Sequence, residues 1–328
     1  MTERQRNLRL FVPVYAIFLF IYLGACIVEP TFFTWNNNVN LFTRITPLII
    51  VGIAQSLVIL TGGIDLSLGA SIGLSNVIAA SLPFVDSPAN IVLWLVVPPL
   101  VGLCVGLVNG FIITRGGFPP LIVTLASGAI WKGVSLFILP EPGGNISQGI
   151  AGTVTGTVFN FLPVPLLIFL AVFFLFQTVL RRTAFGRSVY AIGGNETIAF
   201  ESGILVSRIK IGVYAISGML GGLAGMFLSG LMNSGDPLVG EPYILNSIAV
   251  AVIGGTSLSG GTGGVVGIIG GAYIFQLLNN ILNLLAVSTF YQYVAKGLVL
   301  IAALAVTSSG AGIRLGSTFR RPKKREAE

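Results

Sequence analysis

The sequence has few charged residues. Only 9% of its 328 residues are Asp, Glu, Lys or Arg, whereas soluble domains carry about 25%. Residues 242–295 contain none, and the mean hydropathy is +0.93. A membrane-crossing helix needs about 20 apolar residues, and the short alternating strands of a membrane barrel are missing. The sequence therefore excludes a soluble globular protein and predicts an all-α polytopic membrane protein.

Histidine is absent, and the two cysteines are Cys26 and Cys104. Histidine-based metal sites and proton relays are thus excluded, and no disulfide framework is predicted. None of the five lysines stands in a G-x-x-x-x-G-K-[ST] motif, so the standard ATP phosphate loop is missing. The apolar runs contain no paired carboxylates. We therefore predict no catalytic residue, metal site or cofactor in this chain.

The apolar runs predict about ten transmembrane helices. They cover residues 10–29, 44–61, 66–82, 91–113, 119–139, 163–180, 210–231, 245–260, 264–284 and 292–308. With this count, all of the 18 Lys and Arg except Arg44, Lys132 and Lys296 lie on one side. Basic loops mark the cytoplasmic side, so both termini are predicted to be cytoplasmic.

The net charge of +7 collects at the two termini and in one middle loop, residues 181–210. This distribution favours contact with anionic membrane lipid, above all for the basic tail 314–328, over nucleic-acid binding. The opposite side is predicted to carry the polar loops 29–40, 141–163 and 233–243. Their acidic residues are Glu29, Glu141, Asp236 and Glu241. These loops suit contact with a soluble partner, or simple hydration.

Two similar glycine-rich stretches interrupt the apolar runs. GGIDLSLG, the first glycine break (residues 62–69), and GGTSLSGG, the second glycine break (residues 254–261), agree at five of eight positions. In the ten-span topology, the span before each break runs towards the cytoplasm and the span after it runs away from the cytoplasm. The two breaks therefore have the same orientation, which indicates an internal repeat of the same sense. Glycine pairs break helices, and exposed backbone in a membrane survives only inside protein or beside a wet cavity. Asp65 in the first break either lines a path, caps the third span, or sits in tight packing.

The middle loop, residues 181–210, contains the signals of a short helix. Asn195 is a helix N-cap, Glu196 lies in the first turn, and Gly203 follows the end. A helix this short is marginal in water, so it must be docked. The loop either docks on a soluble cytoplasmic protein or packs on its own bundle.

Four stretches carry a family resemblance: LVILTGGIDLSLGASIGL, TAFGRSVYAIGGNETIAFESGI, AISGMLGGLAGM and SIAVAVIGGTSLSGGTGGVVGIIGG. In this order they resemble the permease subunits of bacterial ABC importers for simple sugars, of the ribose, xylose, galactofuranose and autoinducer-2 type. The resemblance runs from about residue 44 to residue 305.

The resemblance implies a single permease domain, residues 1–328, in the bacterial inner membrane. It implies a second copy or paralogue, a cytoplasmic ABC ATPase that binds ATP-Mg, and an extracytoplasmic solute-binding protein. It places residues of the middle loop at the ATPase: Gly186, Arg187, Gly193, Gly194, Asn195 and Glu196. It places residues of the glycine breaks near the translocation path: Asp65, Ser67, Thr256 and Ser257. Asn109 and Asn246 join this second set because amides inside spans need partners.

Transport driven by a separate ATPase is the expected function. A stand-alone sugar carrier or facilitator is the alternative, but mid-membrane acids that would bind a coupling ion are missing. A membrane-embedded enzyme is a weaker alternative, because no pair of convergent polar groups is evident.

Overall fold

The computed structural model describes residues 3–28, 30–83, 85–159, 161–288, 290–295, 297–298 and 301. The predicted basic tail 314–328 and much of the predicted span 292–308 lie outside the described residues. Within the described part, the chain is predominantly α-helical. The all-α prediction is therefore confirmed for these residues.

The helices follow one another with short connections. They are α1 (Glu3–Val28), α2 (Trp35–Leu60), α3 (Leu68–Ser81), α4 (Pro88–Gly116), α5 (Pro120–Ile138), α6 (Gln148–Thr155), α7 (Val164–Arg182), α8 (Ala184–Gly194), α9 (Glu196–Glu201), α10 (Val206–Met232), α11 (Glu241–Ile253) and α12 (Val265–Leu284). A 3₁₀ turn covers Pro30–Phe33. The strands β1 (Thr157–Val158) and β2 (Leu162–Pro163) form an antiparallel hairpin in which Thr157 pairs with Pro163 and Val158 with Leu162.

Six of the described helices are long and apolar enough to cross a membrane: α2, α4, α5, α7, α10 and α12. They correspond to six of the predicted spans. The predicted spans 66–82 and 245–260 correspond to α3 and α11, which have 14 and 13 residues. At 1.5 Å per residue these helices are about 21 and 20 Å long, shorter than the ~30 Å hydrocarbon core. Each is thus a partial crossing that starts or ends at a glycine break.

Helix α10 is the centre of the bundle and packs against α2, α3 and α4. Its contact with α4 is close enough for backbone to meet backbone. A Cβ atom added to Gly218 would lie 2.1 Å from the Gly102 carbonyl oxygen, and one added to Gly106 would lie 2.0 Å from that of Tyr214. Small residues allow such approach between membrane helices. This packing fixes the position of α10 relative to the first glycine break.

Replacement of Gly218 by alanine tests this contact. The added methyl group forces α10 and α4 apart, and overpacking of this kind costs about 1–3 kcal/mol. We expect Gly218→Ala to lower the apparent unfolding temperature of the detergent-solubilised protein. Gly133→Ala is the matched control, because an added Cβ at this α5 position meets nothing within 4 Å. Equal unfolding temperatures for the two variants would contradict the close crossing.

Candidate functional site

The helices that precede the two glycine breaks, α2 and α11, end with the same pattern of backbone hydrogen bonds. Gly62 N–H donates to the carbonyl three residues earlier (2.9 Å) and Gly63 N–H to the carbonyl five residues earlier (3.1 Å). Gly255 and Thr256 repeat both bonds at 2.9 Å each. This is the Schellman ending, which needs a left-handed residue, and φ is +80° at Gly62 and +85° at Gly255. The hydrogen bonds thus align Gly62 with Gly255, one position away from the alignment by sequence.

The Asp65 carboxylate is held inside the protein by hydroxyl and amide donors. Asp65 is 1% exposed. Its Oδ1 accepts from Ser67 N–H (3.0 Å) and from Ser67 Oγ–H (2.5 Å), and its Oδ2 accepts from Ser217 Oγ–H (2.9 Å). A buried carboxylate without such donors would be very costly. These bonds tie the first glycine break to α10.

Two further helices join this cluster. Asn109 of α4 donates from Nδ2 to Ser67 Oγ (2.7 Å). With its amide oriented to satisfy both groups, Gln55 of α2 donates to the Asp65 carbonyl (3.1 Å) and accepts from Asp65 N–H (3.2 Å). The N-cap position of α3 is occupied by Ser67, whose side chain makes no capping bond. Asp65 therefore acts as the centre of a buried network that joins α2, α4 and α10 at the start of α3.

Two buried polar atoms near this network bond to no described residue. They are Asn109 Oδ1 and Tyr214 Oη. Tyr214 Oη lies against the first glycine break, because a Cβ added to Gly63 would be 2.4 Å from it. Such unpaired groups cost about 1–3 kcal/mol each. Asn109 Oδ1 and Tyr214 Oη can therefore each form a further hydrogen bond.

The predicted path residues fall in three places. Asp65, Ser67 and Asn109 meet in the network just described. Thr256 bonds across to α2, with 3.0 Å between its Oγ1 and Ser56 Oγ, and Ser257 Oγ accepts from the N–H two residues later (3.3 Å). Asn246 of α11 lines a separate cavity of about 390 Å³. The residues chosen from sequence therefore do not form one continuous surface.

The two glycine breaks meet each other and the end of α8. Gly261 N–H donates to the Leu60 carbonyl oxygen (3.1 Å). A Cβ added to Gly193 would lie 1.8 Å from that oxygen and 2.4 Å from Gly261 N. Tyr190 of α8 also donates from its hydroxyl to the Gly263 carbonyl (3.0 Å). We name this contact of Leu60, Gly193 and Gly261 the backbone junction.

The short helix predicted in the middle loop is α9, and both its predicted N-cap and the predicted glycine after its end are confirmed. Asn195 Oδ1 accepts from Ile198 N–H (3.0 Å), and Gly203 follows the helix with φ +84°. Glu196 Oε2 pairs with Lys210 Nζ at 2.6 Å. Helix α8 before it was not predicted, although Thr183 is its N-cap and accepts from Gly186 N–H (3.1 Å).

The other middle-loop residues differ in their surroundings. Gly186 is buried against the end of α7, where an added Cβ would lie 2.3 Å from the Leu180 carbonyl oxygen. Arg187 and Gly194 are exposed. The loop thus has one face on the bundle and one face free within the described chain.

Sequence reasoning missed several members of these contacts. Ser217 and Gln55 lie in spans, where a lone serine or glutamine is common. Tyr190 lies in the middle loop, where the sequence gives its hydroxyl no evident partner. Their roles depend on pairings across many residues, and the only sequence signal for them is a polar group within an apolar run.

The chain is similar to known transport proteins over most of its length. Residues 37–304 match the family described as branched-chain amino acid transport system, permease component. Ribose import permease protein RbsC of Bacillus subtilis is 38% identical over 89% of this chain and 90% of its own. D-allose transport system permease protein AlsC of Escherichia coli is 33% identical (93% and 94%). Galactose/methyl galactoside import permease protein MglC of E. coli is 31% identical (90% and 93%). No solved structure matches significantly.

The buried network predicts how Asp65 variants behave. Asp65→Leu removes every acceptor and leaves the Ser67 and Ser217 donors buried, at about 1–3 kcal/mol for each unsatisfied group. Asp65→Asn keeps one acceptor oxygen. We expect both variants to unfold at lower temperature in detergent, and the leucine variant clearly more so. Ser259→Ala, an exposed position in the second glycine break, serves as the control. A leucine variant as stable as the native protein would contradict the network.

The backbone junction predicts a difference between adjacent glycines. Gly193→Ala places a methyl group onto backbone atoms, whereas a Cβ added to Gly194 meets nothing within 4 Å. Overpacking costs about 1–3 kcal/mol, so we expect Gly193→Ala to lower the unfolding temperature. Gly194→Ala should leave it within experimental error. The junction would be refuted by equal behaviour of the two variants in a thermal unfolding assay.

Proposed function

Since the chain belongs to the family of branched-chain amino acid transport system permease components, we propose that it forms the translocation path of an ABC importer for a monosaccharide. The observation that carries this proposal is the set of relatives named as permeases for ribose, D-allose and galactose, which are 31–38% identical over about nine tenths of the chain. Helices of membrane-crossing length support it. No observation favours a stand-alone carrier.

The energy for uptake comes from a separate ATPase that binds ATP-Mg. The sequence lacks the phosphate-binding loop. Among the described residues, no group of three or more His, Cys, Asp or Glu could hold a metal ion. The permease names of the relatives support a transport subunit, with ATP hydrolysis in its partner.

The ATPase docks on α8 and α9, which lie on the cytoplasmic side in the proposed topology. Ile198, Phe200 and Leu205 are exposed there by 59%, 70% and 59%. Exposed apolar side chains beside the polar groups of Arg187 and Glu196 have the composition of an interface. Helix α9 is held in place by its N-cap and by the Glu196–Lys210 pair. The middle loop is therefore a preformed docking surface.

The topology has ten hydrophobic segments that include the partial crossings α3 and α11, with both termini in the cytoplasm. The common ending of the two glycine breaks supports a same-sense repeat. A second copy or paralogue completes the path. The opposite face, formed by α6 and the β1–β2 hairpin, contacts an extracytoplasmic solute-binding protein.

Movement passes from the docked ATPase to the glycine breaks through the backbone junction. A shift of α8 cannot leave Leu60 and Gly261 in place, because Gly193 packs directly against both of them. Asp65, Ser67, Thr256 and Ser257 then change their exposure as the breaks rearrange. Asn109 follows Ser67 through their hydrogen bond. As a result, the path opens alternately to one side of the membrane and to the other.

Reconstitution tests this function. The chain, its genomically adjacent ATPase and its binding protein are placed in proteoliposomes, and uptake of labelled D-ribose, D-allose and D-galactose is measured. We expect uptake of at least one sugar that requires ATP and the ATPase. Uptake by the chain alone, or ATP-driven uptake of none of the three, would overturn the proposal.

The docking surface is tested in the same complex. Phe200→Ala should weaken binding of the ATPase by about 2 kcal/mol, or roughly 30-fold, as truncation of an interface anchor does. The loss is measured as ATPase retained during purification and as ATP-driven uptake. Phe161→Ala is the matched control, because Phe161 is 62% exposed beside the β1–β2 hairpin. Equal retention by both variants would argue against docking on α9.

A further inference from the structure

An ion pair lies on an exposed face between α3, α5 and α11. Lys132 Nζ of α5 donates to Glu241 Oε1 at the start of α11. The two side chains are 42% and 50% exposed. The sequence alone assigned Lys132 and Glu241 only to the non-cytoplasmic side and gave them no common role.

Lys132 lies within the length of the membrane-crossing helix α5, and its partner Glu241 lies beside it at the start of α11. Helix α5 is 19 residues long and of membrane-crossing composition, and Lys132 is its thirteenth residue, about 18 Å from its start. One turn earlier, Gly128 packs against Ser67 at the start of α3. Glu241 follows Gly240, at which an added Cβ would be 1.9 Å from the Gly69 carbonyl oxygen. The pair is thus level with the first turn of the partial crossing α3.

Charges at this depth are costly in lipid and are usually paired or beside a water-filled cavity. Here they are paired, yet about half of each side chain is still exposed. Their neighbours on the face are apolar, for example Ala129 and Ile244. Contact with lipid would leave the exposed half of the pair unsolvated. The face must therefore meet water, a second copy or a polar solute.

Two cavities adjoin the pair. One of about 200 Å³ lies between α3, α5 and α11 and is lined by both Lys132 and Glu241. The other, of about 390 Å³, is lined by Glu241, Asn246, Phe275 and Tyr293. Glu241 borders both. A few polar groups in otherwise apolar walls are typical of small-molecule sites.

We propose that Lys132, Glu241 and Asn246 form a binding station for a neutral polyhydroxylated solute on the translocation path. The inference rests on the proposed function and deepens it. A sugar hydroxyl both donates and accepts, so it bonds equally to an ammonium, a carboxylate and an amide. The paired charges cancel, which disfavours a charged solute. Tyr293, which lines the larger cavity and is 59% exposed, offers an apolar ring surface to the C–H face of a sugar ring. Because the two charges also bind each other, the solute is held weakly, as passage requires.

Cysteine labelling in the full complex tests whether this face is wet. Cys26 and Cys104 are first replaced by alanine, and Ala129→Cys or Ile130→Cys is introduced. Ala129 lines the smaller cavity, whereas Ile130 is 64% exposed but does not line it. In membrane fragments open on both faces, a charged water-soluble thiol reagent should label the Ala129→Cys protein about tenfold faster than the Ile130→Cys protein, because only a thiolate in water reacts.

Protection by sugar tests the ligand. D-Ribose at high millimolar concentration should slow labelling of the Ala129→Cys protein, and glycine betaine at equal osmolality should not. Adding Lys132→Met or Glu241→Gln should abolish the protection, and Lys132→Arg should retain it. A purely structural ion pair would not make protection depend on these charges.

The proposal is overturned by equal labelling at positions 129 and 130, by absence of sugar protection, or by protection that survives Lys132→Met. If these results are found in a complex that still imports sugar with ATP, the station is wrong and the proposed function stands. If the native complex imports none of the three sugars, the proposed function fails irrespective of the labelling.

Discussion

The constraint on which this structure depends is that interrupted helices inside a membrane leave backbone groups that lipid cannot satisfy. The protein meets this constraint with its own backbone. Each glycine break begins with a Schellman ending, and the two are joined by the bond from Gly261 N–H to the Leu60 carbonyl. The short helices α3 and α11 can lie next to these breaks because the backbone groups at the breaks are hydrogen-bonded within the protein.

The packing of α10 determines which polar groups reach the first glycine break. Its glycines bring the α4 backbone close, and Asn109 is thereby placed within bonding distance of Ser67. Ser217 on α10 reaches Asp65 directly. A buried network of this kind fixes relative positions strongly when most of its members are paired. The small residues and the carboxylate are consequently parts of one arrangement, in which close packing supplies the geometry and Asp65 supplies the bonds.

Hydropathy was sufficient to place the six long helices, because length and apolar composition are local properties. The start and the end of α9 could also be read locally, from Asn195 and Gly203. The spans predicted at 66–82 and 245–260 were given as full crossings, since each included residues of a glycine break that α3 (Leu68–Ser81) and α11 (Glu241–Ile253) leave out. The pairing of Asp65 with Ser217, of Lys132 with Glu241, and of Gly193 with both breaks could not be predicted. These contacts join residues about 70 to 150 positions apart, and only the packing of α10, α11 and α8 brings them together.

The bond between Leu60 and Gly261 joins residues about 200 positions apart, and this has a consequence for biosynthesis. While the ribosome is still making α10, the Leu60 carbonyl has no N–H to accept from, and α3 has no α11 to lie beside. The first glycine break therefore gains its final contacts only after the last quarter of the chain has been made. A chain that stops before Gly261 therefore lacks the donor for the Leu60 carbonyl, even though most of its helices are complete.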